Sequence, residues 1–250
     1  EPFAVKGKAE PVQAWAVGEA QGSRTRQVSL QRLPLTGRNT ELGAIRKAFT
    51  SARSGAGRLI DVVGEAGIGK TRLLEALRDA AAGFGKLHAT CEAYTASKPY
   101  ALWRELLREH LGIGRDVNDD AVIERLRTIV TEQAPDLAAW LPLIAMTFDV
   151  EMTATPEMEL LADANRRTRL HESVRRFLEI VIPGPALVEI ENAHHIDEAS
   201  AELLSYLTGE MPTRPWLFAV ARRPVAGGFD PPKSDTVVRI ELKPLAPQDA

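Results

Sequence analysis

Residues 64 to 71 read GEAGIGKT, which fits the phosphate-cradling pattern G-x-x-x-x-G-K-[ST] at every fixed position. Gly64, Gly67 and Gly69 let a backbone turn tightly around a phosphate chain. Successive N–H groups and the start of a following helix then point at the anion. Lys70 has the reach for β- and γ-phosphates, and the Thr71 hydroxyl suits Mg²⁺. The expected nucleotide contacts are therefore Gly64, Glu65, Ala66, Gly67, Ile68, Gly69, Lys70 and Thr71, with Arg72 following. A Gly-rich turn arising by chance would lack flanking structure. Here an apolar run, Leu59 to Val63, precedes the loop, and Arg72 to Leu77 carries helical spacing. Strand, loop and helix in that order support the motif.

Phosphate chemistry also needs a carboxylate on a second buried strand to serve the metal, and usually an adjacent acid to polarise water. Leu187-Val188-Glu189-Ile190-Glu191-Asn192 is the candidate. Glu191 ends the apolar run and is the expected metal group, together with Thr71. Asn192 stands where the base belongs, and an amide cannot accept a proton. Glu189 makes this strand less apolar than usual. His194 and His195 follow. A His-His pair beside acids suggests zinc, but no third and fourth ligands stand at useful spacing. They are read instead as loop residues near the γ-phosphate. Arg222 and Arg223 end a later apolar run, and Arg222 is taken as the γ-phosphate sensor.

Alternating elements must position these groups. Strands are expected near 59–63, 85–91, 186–190, 216–221 and 237–242. Helical spacing recurs from about Thr40, over Tyr100 to Leu111, over 120–131, over Met158 to Ile182 and over 198–208. The fold class is α/β. It is a three-layer sandwich of the P-loop NTPase type, with a parallel sheet of about five strands and a helical insertion.

Composition sets the remaining bounds. The chain has 250 residues, 44% hydrophobic and 26% charged, which suits one or two domains with ordinary cores. A net charge of -3 gives no direct signal for nucleic acid. Cys91 is the single cysteine, so no intrachain disulfide forms, and its setting suits a small buried hydrophobe. No apolar run reaches the ~20 residues of a membrane segment. With no starting Met and no leader pattern, the expectation is a piece of a longer cytoplasmic protein.

Several segments together resemble the AAA-type ATPase module of large bacterial signal-transduction and transcription-regulatory ATPases. PLTGRNTELGAIRKAF resembles its entry signature, whose Gly-Arg and Glu-Leu pairs lie near the adenine; here these are Gly37-Arg38 and Glu41-Leu42. PYALWRELL resembles the helix after the second strand. ENAHHIDEAS resembles the second acidic motif, usually acid-Asp-x-His-Trp-x-Asp. Glu191, His194 and Asp197 match it, while Asn192 and His195 depart. AVARRP and LKPLAP also fit. The resemblance spans residues 34 to 250, and the family's usual helical domain would follow further on.

Residues 1 to 17 resemble the last strands of a class III adenylate/guanylate cyclase domain, through Phe3, Val5-Lys6-Gly7-Lys8 and Pro11-Val12. Residues 18 to 33 read as a linker. The resemblance implies ATP and Mg²⁺ as cofactors, an upstream cyclase domain and a downstream helical or repeat domain in the parent chain. A homo-oligomer is compatible with such a module. The expected function is an ATP-binding regulatory switch with slow or impaired hydrolysis, because Asn192 replaces the acid. The alternative is a competent ATP hydrolase with water positioned by His194.

Overall fold

Apolar strands and amphipathic helices alternate along most of the chain, and in the computed structural model they assemble around one parallel sheet. The structure describes residues 2–3, 12–13, 36–210 and 213–245. It divides into two units, Glu1–Pro34 and Leu35–Ala250. In the first, β1 (Pro2–Phe3) pairs antiparallel with β2 (Val12–Gln13), with Phe3 opposite Val12. The Lys6-Gly7-Lys8 turn and the 18–33 linker lie outside the described residues.

The second unit holds β3 (Arg58–Val63), β4 (Gly85–Thr90), β5 (Ala186–Glu191), β6 (Trp216–Arg222) and β7 (Val237–Glu241). All neighbours are parallel, in the order β4-β5-β6-β3-β7. This is the α/β P-loop NTPase arrangement that the sequence leads one to expect, with five strands. The central strands are buried on both faces, as parallel strands under helices must be. On one face, α1 (Asn39–Arg53) and α2 (Lys70–Ala80) bury Ile45, Phe49, Leu73 and Leu77 against Ile60, Val62, Leu187 and Ala219. The other face carries the helical insertion between β4 and β5, together with α8 (Glu198–Gly209).

That insertion comprises α3 (Ala101–His110), α4 (Asp119–Gln133), α5 (Leu141–Met146), α6 (Pro156–Glu159) and α7 (Asp163–Val181). Two of these differ from the sequence reading. The single long helix expected over 158–182 is interrupted. Thr155 caps α6 by accepting from Met158 N, Pro156 starts it, and Ala162 is extended at ψ 139° before α7 begins. Leu160, counted in the apolar stripe, is 88% exposed, whereas Leu170, Val174, Phe177 and Leu178 are buried. Periodicity ran on across a break because two apolar residues happened to keep phase. Helix α5 went unannounced for the opposite reason: Leu141 to Ala145 are all buried, so no polar face marks a period. Helix α1 starts at Asn39, just before the expected Thr40, without a side-chain cap. Among the described residues no helix is long and apolar enough to cross a membrane.

Candidate nucleotide site

The glycine loop joins β3, which is flanked by β6 and edge strand β7, to α2. Two of its glycines are demanded by backbone angle, Gly67 at φ +76° and Gly69 at φ +101°. Gly64 is demanded by space, since a Cβ there would stand 2.7 Å from Ile68 Cγ2 and 3.2 Å from Leu242 Cβ. Lys70 closes the loop on itself, its Nζ donating to Gly64 O and Glu65 O, both at 2.8 Å. Burial lowers the Lys70 pKa, the charge of Arg223 lowers it further, and Glu65 opposes both. Arg72 pairs with Glu75 one turn along α2, at 2.8 Å.

Side chains of a strand alternate, so Glu189 and Glu191 share a face of β5 and look toward α2. Thr71 Oγ1 donates to Glu191 Oε2 at 3.0 Å. The other carboxylate oxygen lies 3.3 Å from His88 Nε2 on β4. The His88 contact is the main cause that depresses the Glu191 pKa, and the same contact raises that of His88. Glu189 has its own partner: Arg78 Nε donates to Glu189 Oε2 at 2.5 Å. Arg78 is seven residues past Thr71, two helical turns along the same face. The two acids that look odd in an apolar strand thus meet two consecutive stations of the loop's own helix. Burial raises the Glu189 pKa, and Arg78 works against it.

Asn192 sits in the left-handed region at φ 54°, ψ 36°, and its carbonyl accepts from His195 N at 2.8 Å. Asn is among the few non-glycine residues that adopt this conformation readily. The His194 ring lies 4.1 Å from that of His195. Both His194 ring nitrogens are buried without a hydrogen-bond partner among the described residues. Burial lowers the His194 pKa, and the charges of His195, Arg223 and Lys70 add to this. The structure therefore brings Lys70, Thr71, Glu191, Asn192 and His194 to one end of the sheet.

Arg222, expected to face the γ-phosphate, is engaged elsewhere. Its Nε and NH2 donate to Asp61 Oδ1 and Oδ2 at 2.9 and 3.0 Å, and NH2 also reaches Asp230 at 2.5 Å. Asp61 is fully buried in β3, and an unpaired charge there would be costly, so the guanidinium is committed to it. Arg223, the next residue, is exposed, and its charge is the one that acts on Lys70 and His194. Gly37, at φ 67°, precedes Arg38, whose buried guanidinium donates to Glu41 Oε1 at 3.0 Å.

Sequence reasoning missed several supports. His88 carries no motif of its own, and only the β4–β5 pairing brings it to Glu191. Asp197 matched a family position but had no stated task. Its carboxylate accepts from Ser200 N at 2.8 Å, Tyr100 N at 2.9 Å and Ala101 N at 3.2 Å. One side chain thereby caps α8 and α3 together, bolting the loop after β5 to the start of the insertion. Gly228, at φ +70°, packs so closely that a Cβ would stand 2.5 Å from Ala193 O and from His194 Cα. Phe229 N then donates to Ala193 O at 3.0 Å. Gly228→Ala combines a left-handed backbone with a clash against the site loop. It should cost at least about 2 kcal/mol in urea unfolding. A loss below roughly 0.5 kcal/mol, the level of an ordinary surface change, would mean that the 192–195 loop yields freely.

Comparison with known proteins adds the family. Residues 34–220 match the family model described as AAA ATPase domain. An uncharacterized protein of Rhizobium meliloti (strain 1021) is 27% identical over 240 residues, covering 88% of this chain and 22% of that protein. A solved structure from Pyrococcus horikoshii, a Signal Transduction ATPase with Numerous Domains (STAND) protein with a tetratricopeptide repeat sensor, is similar at a TM-score of 0.40 and 14% identity. That match covers 81% of this chain and 23% of the other. The chain thus spans under a quarter of the length of either relative. The parallel sheet, the glycine loop that follows β3 and the match over residues 34–220 agree, and the chain belongs to the AAA ATPase domain family.

Proposed function

We propose that this chain is an ATP-binding switch module of a multidomain signalling protein, one that turns ATP over slowly. The observation that carries the reading is the closed set Lys70–loop, Thr71–Glu191, with Asn192 next to Glu191. The residues fit Mg·ATP. The left-handed Gly67 and Gly69 suit a loop whose N–H groups turn toward an anion, and Thr71 and Glu191 supply the hard oxygen donors that Mg²⁺ takes. When bound, Mg²⁺ neutralises charge shared by the β- and γ-phosphates. Lys70 would exchange its two carbonyl partners for phosphate oxygens. Burial and then the charge of Arg223 depress its pKa, and a bound phosphate would oppose both. Arg223, exposed and acting on both Lys70 and His194, takes the γ-phosphate-sensing part in place of Arg222.

A second reading is favoured by one observation. His194 has two buried ring nitrogens with no hydrogen-bond partner among the described residues, and burial lowers its pKa, which favours the neutral imidazole from which a general base starts. On that reading the module is a competent hydrolase and His194 supplies the base that Asn192 cannot. A nucleotide-binding titration and a steady-state turnover assay on one sample separate the two. Tight binding with turnover far below ~1 s⁻¹, the low end of ordinary enzymes, supports the switch. Absence of binding at millimolar Mg·ATP sinks both.

The domain reading proposed here is a cyclase-domain tail at 1–17, a linker at 18–33 and the ATPase domain from 34 onward. The pairing of Pro2–Phe3 with Val12–Gln13 supports a hairpin in the first part. If that hairpin is the end of another domain, removing residues 1–33 should leave the thermal midpoint within roughly 2 °C, under 1 kcal/mol for a domain this size. A larger drop would assign the segment to the ATPase domain and count against a cyclase tail.

A further inference from the structure

Arg38 is almost wholly buried, with a side chain 9% exposed. NH1 holds Glu41 at the start of α1. NH2 donates to Ile68 O inside the glycine loop at 3.4 Å, and to Lys243 O just past β7 at 2.8 Å. The segment past β7 is itself seated on the loop's base. Leu242 N donates to Val63 O at 2.8 Å, and Leu242 Cβ would stand 3.2 Å from a Cβ at Gly64, crowding it alongside Ile68.

The Ile68 carbonyl matters because of what lies across its peptide bond. No described peptide bond is cis, and in a trans peptide the C=O and the following N–H point in opposite directions. A guanidinium that draws Ile68 O outward therefore turns Gly69 N–H inward, toward the space the loop encloses. Gly69 is the left-handed residue that opens α2, where inward N–H groups make the anion cradle.

We infer that Arg38 is a positioning residue for the phosphate cradle, orienting the Ile68–Gly69 peptide and tying it to the 242–245 segment that leaves the sheet. The inference rests on the nucleotide-binding reading above. It gives Arg38 a task on the phosphate side, where the sequence resemblance had placed the Gly37-Arg38 pair near the adenine. It also makes the exit segment a reporter of phosphate occupancy, since one guanidinium holds both.

The test compares Arg38→Lys with the unmodified 250-residue chain, using Mg·ATP and Mg·tripolyphosphate as separate probes. Lysine keeps the charge beside Glu41 but lacks the fork that reaches two carbonyls at once. Both probes should weaken by the same factor, roughly tenfold or about 1.4 kcal/mol. Weaker ATP with unchanged tripolyphosphate would place Arg38 on the adenosine half and overturn the inference. Two unchanged affinities would also overturn it. If the unmodified chain binds neither probe, the nucleotide reading falls and this inference with it. Should the variant fail to fold, amide exchange in the unmodified chain decides. Mg·tripolyphosphate should slow exchange at Gly69 and at the Leu242, Lys243 and Leu245 amides together. Slowing confined to the glycine loop would overturn the coupling.

Discussion

Lys70→Ala is expected to abolish most of the stabilisation that Mg·ATP confers while leaving the melt of the empty chain nearly unchanged. With ATP at 100 times its dissociation constant, binding adds about 2.7 kcal/mol to folding. For a domain of about 200 residues that corresponds to a rise of roughly 5–10 °C in thermal midpoint. Lys70 can be removed from the empty chain at small cost, because among the described residues its ammonium donates to Gly64 O and Glu65 O and it is not part of the buried core. Thermal melts of both forms, with and without Mg·ATP, measure this. A variant that keeps the full shift would show that the cradle's N–H groups bind phosphate without the lysine. A wild type with no shift at millimolar ATP would remove the case for nucleotide binding altogether.

Asn192→Asp should raise ATP turnover by at least about tenfold, a cautious fraction of the 10²- to 10⁴-fold that general-base assistance typically contributes. Volume hardly changes, and aspartate also tolerates the left-handed backbone found at this position. ATP affinity should therefore stay close to that of the wild type. Turnover is read at saturating Mg·ATP. If an arginine is required from a neighbouring subunit, the gain appears only in the assembled protein, so the comparison belongs in the longest available form of the chain. An unchanged rate from a wild type already above ~1 s⁻¹ would transfer the base to His194. His194→Asn would then be the substitution that stops turnover.

The sequence alone determined whatever depends on contiguous residues. GEAGIGKT, the apolar run before it and the helical spacing after it specify a phosphate loop at a strand–helix junction, because that site is built from its own backbone. Strand positions were legible for the same reason: short apolar runs separated by amphipathic helices have one economical arrangement, a parallel sheet covered on both faces. Glu191 was legible as the acid ending such a run. Periodicity failed where it was either accidental, across Leu160 and Leu161, or absent, in the fully buried α5.

Only the tertiary structure decided which charges meet. Asp61 and Glu189 look misplaced in apolar strands until β6 brings Arg222 to the first and α2 brings Arg78 to the second. That commitment ties Arg222 to Asp61 and Asp230, while the exposed Arg223 is the neighbour whose charge acts on Lys70 and His194. His88 reaches Glu191 because strands far apart in sequence pair side by side. Asp197 caps two helices whose starts lie nearly a hundred residues apart, and Gly228 lacks a side chain because a distant backbone fills the space. A buried ion pair or a close backbone approach is a property of two segments at once. Local pattern carries no trace of the second segment, so these contacts become visible only when the sheet has closed.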